Sequence, residues 1–264
     1  MKPWSARVSF ASRLCAVALL RVGLARAIDP FEIQVYDGTA NHPGSPGLEL
    51  HLNTIPSGNR RAEPPELPQH HQSHLTFEPS LGVTRFWELG GYLQTALLGD
   101  GSLRYAGVKL RSKFVLPSEP RDHLRLGVNF ELSLLPQAFE RGRWGSEVRP
   151  IVAWEDERVI LACNPIFDTA LAGEDFRAGP SFEPAAMAKL KIQPSVALGL
   201  EYYGSIGPLA EPARLEEQRH YLFEVFDLLG VEHFELNAGV GEGLTSGSNA
   251  FVIKAITGYV WDTD

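Results

Sequence analysis

The stretch HLRLGVNFELSL, residues 123–134, alternates apolar and polar side chains over its whole length. The even-numbered positions carry only Leu, Val and Phe, whereas the odd-numbered positions carry His, Arg, Gly, Asn, Glu and Ser. A period of two predicts a β-strand with one apolar and one polar face. The apolar face contacts a protein core in a soluble barrel and lipid in a transmembrane barrel, so its neighbours decide the class of protein.

Residues 1–27 have the composition of a secretory signal peptide. They contain five basic and no acidic side chains, surround the apolar run Leu14–Leu20 and end in Ala25-Arg26-Ala27. This order predicts export and cleavage after Ala27. A disordered cationic N-terminus is the alternative interpretation, and the apolar run is too short to span a bilayer.

The composition limits the remaining possibilities. Removing the five basic residues of 1–27 from a total of 24 leaves 19 against 32 acidic residues, a net charge of −13, which argues against nucleic acid as a partner. Cys163 would be the sole mature thiol, so we expect no intrachain disulfide. Because no window of eighteen apolar residues exists, a membrane-spanning form of this chain would have to be a barrel.

Alternation of the same kind recurs along the chain. Predicted strands cover 75–83, 86–94, 103–115, 123–134, 146–154, 158–168, 183–192, 195–204, 220–229, 232–242 and 250–261. Most exceed the usual five or six residues of a soluble sheet and have about the length that a tilted strand needs to cross a bilayer. Short connections alternate with longer loops rich in Gly, Pro and charge, as in outer-membrane barrels.

The first part of the chain is less regular. Phe31–Tyr36 and Leu48–Asn53 read as two further strands, which makes thirteen strand-like segments. An even strand number is the rule in bacterial single-chain barrels. We therefore predict an all-β, antiparallel up-and-down transmembrane barrel of about twelve strands that begins at 48–53. Residues 28–38 are left as an extra segment, periplasmic or plug-like.

The predicted organisation is thus a signal peptide at 1–27, an N-terminal strand segment with a polar, Pro-rich loop at 28–72, and the main part of the barrel at 73–264. Aromatic side chains fall near the ends of the predicted strands, as expected of interfacial girdles or, in a soluble barrel, of the two ends of a core. The last strand also carries Tyr259 and Trp261 near its end.

Residues 73–261 resemble bacterial outer-membrane β-barrel proteins of the porin-like and transporter-like kind. The resemblance rests on EPSLGVTRFWELGGYL (78–93), on FEIQVYDGTANHPGSPGLELHLN (31–53), and on the aromatic end of the last strand. It implies an outer-membrane location in a Gram-negative-type cell and a passive pore or transporter for small solutes. Membrane lipids, a small solute and the barrel-insertion machinery are the implied partners, and Asp262-Thr263-Asp264 departs from the usual aromatic terminus.

The alternation assigns a set of polar side chains to the lumen of such a barrel. Lys109, Arg111 and Lys113 are spaced by two and form a cationic ladder along one strand. Unpaired burial of ionised groups is costly, so we expect these groups to pair across the interior. The predicted lumen-lining residues are Lys109, Arg111, Lys113, Arg125, Asn129, Glu131, Glu147, Arg149, Glu201, His233 and Glu235.

Two alternatives compete with a pore. A soluble periplasmic barrel that binds a lipid or another small ligand would place Leu124, Leu126 and Phe130 inside and the charges in water. An outer-membrane lipid hydrolase would need a nucleophile and a base, for which the sequence offers only Ser246 or Ser248 with a histidine. That loop lacks the G-x-S-x-G order, so we predict a non-enzyme.

Metal chemistry has one candidate in the sequence. His70 and His71, together with His51 and His74, could bind a metal ion, but the first two lie in a polar stretch where histidines more often have no ligand. H-E-x-x-H, paired CxxC, P-loop and GxGxxG motifs are all missing. We therefore predict no catalytic residue, no cofactor and no metal.

Overall fold

The computed structural model describes residues 29–60, 62, 64–117, 123–173 and 175–262. The predicted signal peptide, 1–27, lies outside the described residues. The described part is almost entirely β, apart from a 3-10 helix at Asp175–Ala178. No helix within it is long and apolar enough to cross a membrane.

Thirteen strands are present in the described residues, and twelve of them form the wall of a barrel. Strand β10 has only two residues and pairs with one end of β8. The strands are β1 (Pro46–Ser57), β2 (Ser73–Thr84), β3 (Trp87–Leu97), β4 (Leu103–Val115), β5 (Leu124–Leu134), β6 (Trp144–Glu155), β7 (Val159–Ala170), β8 (Ser181–Gln193), β9 (Val196–Ser205), β10 (Gly207–Pro208), β11 (Arg219–Leu228), β12 (Phe234–Gly243) and β13 (Phe251–Val260).

The barrel closes between the first and the last strand. Each wall strand pairs antiparallel with the next wall strand along the chain, with β9 pairing with β11 across the short β10. The circle closes where β1 pairs with β13, from Gly47 opposite Val260 to Thr54 opposite Ile253. The prediction of a twelve-stranded antiparallel barrel that begins within 48–53 is confirmed. Closure leaves no open sheet edge, which is the condition for a β-structure to span hydrocarbon.

The outer face of the wall is apolar. In β5, Leu124, Phe130 and Leu132 are 52%, 43% and 54% exposed, whereas Asn129 and Glu131 on the other face are buried. Leu110 on the neighbouring strand is 69% exposed. Because large apolar side chains point outward and charged ones inward along these strands, the fold is that of a transmembrane barrel, and the soluble alternative is wrong.

Connections differ in length between the two rims. Short connections at 85–86, 156–158 and 194–195 lie on one rim, and longer ones at 58–72, 135–143, 171–180 and 206–218 lie on the other. We call these the short-turn rim and the long-loop rim. In outer-membrane barrels the short turns are periplasmic.

Aromatic side chains mark the short-turn rim. Trp87 stacks beside Phe114 with ring centroids 6.0 Å apart, and Tyr259 packs edge-on against Trp261 at 5.1 Å. All four are partly or largely exposed on the outer face near strand ends. Amphipathic rings at this height form the interfacial girdle of a membrane barrel.

Residues 29–45, the luminal segment, precede β1; residues 31–38 lie inside the barrel, and His42–Gly44 are exposed at the short-turn rim. Its Phe31, Glu32 and Ile33 are 2%, 3% and 1% exposed. The prediction that Phe31–Tyr36 is a strand is wrong, because this stretch pairs with no strand. The backbone N–H of Tyr36 instead donates to the Asn164 side chain at 2.7 Å, and the Asn164 amide donates back to the Tyr36 carbonyl at 3.0 Å.

The wall is interrupted where the luminal segment is held. The ladder between β6 and β7 runs to Val148 opposite Phe167 and resumes at Val152 opposite Cys163. The gap brings Pro150 level with Pro165, which lies directly opposite Pro184 on β8. Proline has no N–H to donate, so this part of the wall has fewer hydrogen bonds between strands, and Asn164 of the gap bonds the luminal segment.

Candidate functional site in the barrel interior

The candidate site is the barrel interior, and its charged wall begins with Lys109 on β4. The Lys109 ammonium lies 3.1 Å from Glu131 on β5, 2.6 Å from Asp29 and 3.5 Å from Glu32. The last two residues belong to the luminal segment. Lys109 therefore connects the wall to that segment, and a buried cation is compensated by several carboxylates.

Arg149 on β6 holds the middle of the luminal segment. Its guanidinium lies 3.1 Å from Glu32, 2.7 Å from Glu147 and 4.4 Å from the ring centroid of Tyr36. The Tyr36 hydroxyl is 3.0 Å from Glu32 and 2.7 Å from the hydroxyl of Tyr92 on β3. Ion pairs, a cation–π contact and hydrogen bonds thus converge on residues 32–36.

The predicted cationic ladder continues along β4 and is fully compensated. Arg111 lies 2.9 Å from Glu78 and 2.8 Å from Glu88, and Lys113 lies 2.9 Å from Glu88. Glu88 also accepts the backbone N–H of Asn41 at 2.6 Å, near the end of the luminal segment. Arg111 and Lys113 are therefore paired with acids of β2 and β3, whereas Lys109 pairs with β5 and the luminal segment.

A second ionic cluster lies on the opposite part of the wall. Glu201 on β9 contacts Lys189 on β8 at 3.0 Å and also pairs with Lys254 on β13. Lys254 is 1% exposed and donates to the Ile33 carbonyl at 3.0 Å. Asp227 completes the cluster, 2.8 Å from Lys189.

Lys189, Asp227 and Lys254 are not among the predicted lumen-lining residues. Their signal was present, because Lys254 occupies an inward position between the outward Ile253 and Ala255 of an alternating strand.

The other part of the interior is apolar. A packed cluster joins Ile33 and Val35 of the luminal segment to Tyr221, Phe223 and other side chains of the wall. Phe31 packs in a smaller cluster with Ala96 and Ala106. Residues 31–36 thus alternate, with Ile33 and Val35 in the apolar cluster and Glu32 and Tyr36 in the charged network.

Two cavities flank the luminal segment. The outer vestibule, on the long-loop rim, has a volume of about 1320 Å³ and is lined by Asp29, Phe31 and residues of the long loops. The inner vestibule, on the short-turn rim, has about 300 Å³ and is lined by Gln34, Tyr36 and the ladder residues Arg111 and Lys113. The buried residues between Phe31 and Tyr36 separate the two.

Both vestibules carry charges of both signs. In the outer one, Glu66 of a long loop lies 3.6 Å from Arg141, and burial raises the pKa of its carboxyl although the arginine opposes this shift. At the short-turn rim, Arg125 on β5 pairs with Glu155 and donates to the Asp37 carbonyl at 2.9 Å.

The structure brings most of the predicted lumen-lining residues together in the interior. Nine of the eleven have contacts within the interior networks: Lys109, Arg111, Lys113, Arg125, Asn129, Glu131, Glu147, Arg149 and Glu201. Glu235 lines the inner vestibule. His233 lies apart from them in the turn before β12, 3.3 Å from Asp262 and beside the outward Tyr259. That these residues line a solute path stays a prediction.

The hydrolase alternative finds no support in the long-loop rim. The Ser248 hydroxyl bonds the backbone of His220 and not its ring. The two ring nitrogens of His220 are engaged by Tyr202 and Gln218 at 2.7 and 2.9 Å, and Ser246 donates to the carbonyl of Glu216. The candidate serines are therefore not paired with a base, which nucleophilic catalysis requires.

Comparison with known proteins gives structural matches only. No family model matches the chain, and no curated protein matches it. The COG4313 outer membrane channel from Pseudomonas putida F1 is similar in structure, with a TM-score of 0.60 at 11% identity, over 87% of this chain and 100% of that one.

Two porins are similar as well. The KdgM porin gives a TM-score of 0.52 at 9% identity, over 82% of this chain and 99% of that one. The NanC porin gives 0.50 at 8% identity, over 83% and 100%. At these identities the likeness establishes the fold alone, a closed antiparallel β-barrel like those of outer-membrane proteins. Together with the apolar outer face, it locates the protein in the outer membrane.

Proposed function

We propose that this chain is a passive outer-membrane pore or transporter for small solutes, in which the luminal segment controls passage. One observation carries the proposal: residues 31–36, all buried except the half-buried Gln34, lie between two cavities of about 1320 and 300 Å³ that open towards opposite rims. The charges of β3 to β6 and of the luminal segment would make the path suitable for small polar or charged solutes. The channel and porin folds of similar structures support the same class of function.

The luminal segment is attached to the wall by side chains and is not part of the sheet. The segment makes no strand pairing, and polar side chains of the wall such as Asn164 and Arg149 supply its anchors. Side-chain hydrogen bonds of this kind contribute about 0.5–1.5 kcal/mol each. The ion pairs of Glu32 with Lys109 and Arg149 and the packing of Ile33 and Val35 add to the cost of displacing the segment, which would be a local opening with the barrel intact.

The same proposal assigns the partners. The apolar outer face would be in contact with membrane lipids, and a small solute would occupy the lumen. The barrel-insertion machinery would recognise β13, whose outward Tyr259 and Trp261 lie at the strand end.

Replacing Asn164 with Ala tests the role of the luminal segment. The substitution removes both hydrogen bonds to the Tyr36 backbone, which at about 1–3 kcal/mol together predicts roughly a 5- to 150-fold rise in the ratio of open to closed channel. Conductance of single channels in planar bilayers measures this ratio directly.

Asn129→Ala is the matched control for this experiment. Asn129 is as buried as Asn164, but its amide bonds Glu131 of the wall at 2.9 Å and not the luminal segment. The control is expected to keep the conductance of the wild-type protein. Equal open fractions for Asn164→Ala, Asn129→Ala and wild type would refute control by the segment, and no conductance in any of the three would refute the pore.

A further inference from the structure

The carboxylates of Glu49 and Glu78 and the imidazole of His51 lie close together beside the luminal segment, towards the short-turn rim. Glu49 and His51 are two residues apart on β1 and share its inner face, and Glu78 lies directly opposite Glu49 on β2. The His51 Nε2 atom is 2.8 Å from Glu78 Oε2 and 3.8 Å from Glu49 Oε2. One ligand atom from each side chain therefore lies within 4.8 Å of the other two.

These separations suit a first-row divalent metal ion. Bonds of about 2.0–2.2 Å to imidazole nitrogen and carboxylate oxygen place tetrahedral ligand atoms roughly 3.3–3.6 Å apart. The three atoms need to move only by fractions of an ångström to about 1 Å to reach this spacing. Imidazole with carboxylates is a ligand set that zinc and its neighbours accept, with a water molecule at the open position.

The surroundings of His51 are unusual for a buried imidazole. His51 is fully buried, and its Nδ1 atom has no hydrogen-bond partner in the described part of the chain. Thr76 lies opposite His51 in register, is equally buried, and its hydroxyl also has no partner there. In metal sites the second nitrogen of a ligating histidine is held by a neighbouring polar group, and Thr76 is the polar residue paired with His51 on β2.

The local charge also favours a divalent cation. The two carboxylates of Glu78 and Glu88 pair with two cations, Arg111 and Lys113, so these four charges cancel. Glu49 is not part of this balance, and its side chain accepts a hydrogen bond from Gln34 at 3.1 Å.

Glu235 adds a second uncompensated carboxylate at the same level. Gly258 on β13 pairs with Glu49 of β1 on one side and with Glu235 of β12 on the other. A Cβ atom built on Gly258 would lie 2.9 Å from Glu49 Cγ and 3.6 Å from Glu235 Cβ, so the two acids are separated only by this glycine. A divalent ion bound here would compensate the carboxylates of Glu49 and Glu235.

An ion can reach the cluster from the short-turn rim. Glu49 and Glu78 both line the inner vestibule of about 300 Å³, and the Glu49 side chain is 24% exposed. The remaining ligand, His51, lies behind them.

We propose that Glu49, His51 and Glu78 form a binding site for a divalent transition metal of the zinc class. The ion replaces the hydrogen bond between His51 and Glu78, while Glu78 keeps its contact with Arg111 through the other carboxylate oxygen. Because Glu49 also bonds Gln34, the site lies where the luminal segment meets β1.

Titration of the full chain in detergent micelles, without a polyhistidine tag, tests the site. Zn²⁺ binding by calorimetry and Co²⁺ binding by visible absorption are both expected to show one equivalent. Glu49→Gln and His51→Gln are expected to weaken binding by about 10-fold or more. Heat-dependent migration in electrophoresis checks that each variant remains a closed barrel.

Two control variants separate this site from other histidines. His233→Gln removes an imidazole that lies 3.5 Å from Glu232 and 3.3 Å from Asp262, and His70→Gln combined with His71→Gln removes a stacked pair. Both are expected to bind one equivalent as the wild type does. Absence of stoichiometric binding, wild-type binding by folded Glu49→Gln, or loss of binding in either control would overturn the proposal.

Discussion

Replacing Phe130 with Arg is expected to destabilise the inserted barrel by about 2–4 kcal/mol, because the side chain faces lipid near the middle of β5. Phe130 is 43% exposed and its neighbours along the same face are the apolar Val128 and Leu132. A guanidinium at this depth would have to leave water. Reversible unfolding in urea from lipid vesicles measures the change.

Leu124→Arg is the control on the same strand and the same face. Leu124 is 52% exposed but lies at the first residue of β5, at the short-turn rim, where the cost of arginine falls to about 0–1 kcal/mol. Similar free energies of unfolding for the two variants would mean that the apolar face of β5 does not meet hydrocarbon.

Glu201→Gln is expected to cost about 3–5 kcal/mol of folding free energy, since it removes the anion that two buried lysines share. Lys254 and Lys189 are 1% and 7% exposed, and Asp227 would remain as the carboxylate of the cluster. The loss includes the hydrogen bond from Tyr203 to Glu201, which a neutral amide accepts more weakly.

Glu217→Gln provides the comparison at an exposed pair. Glu217 pairs with Arg214, whose side chain is 75% exposed, in the long loop after β10. Ion pairs in water contribute about 0–1 kcal/mol, so this variant should unfold close to the wild type. If Glu201→Gln were as harmless as Glu217→Gln in the same unfolding assay, the interior cluster would not stabilise the barrel.

Much of the wall followed from local patterns. Strands such as 103–115 and 123–134 were predicted to within about one residue, because apolar and polar side chains alternate through most of each and a strand repeats every two residues. The rule that bacterial barrels have an even number of strands, together with the alternation of short and long connections, identified 48–53 as the first strand of the barrel. The sequence alone also indicated which side chains of β4 point inward.

The interior was predictable only in part. Phe31–Tyr36 has the alternation of a strand, yet Asn164, 128 residues further along, binds its backbone in place of a neighbouring strand. His233 was assigned to the lumen by counting along β12, but the strand begins only after it and the residue adopts a positive φ of 63°. Such contacts between distant residues leave no periodic signal in either partner.

By itself, the sequence determined a barrel of alternating strands, its antiparallel order and the apolar nature of one face, because these depend on neighbours within a few residues. Only the tertiary structure decided what occupies the lumen. Closure brings Lys109, Arg149 and Lys254 from three separate strands onto the luminal segment, and the same closure places Ile33 against the apolar wall. Burial forces each of these charges to find a partner, and which partner is within reach depends on the closed circle of twelve strands.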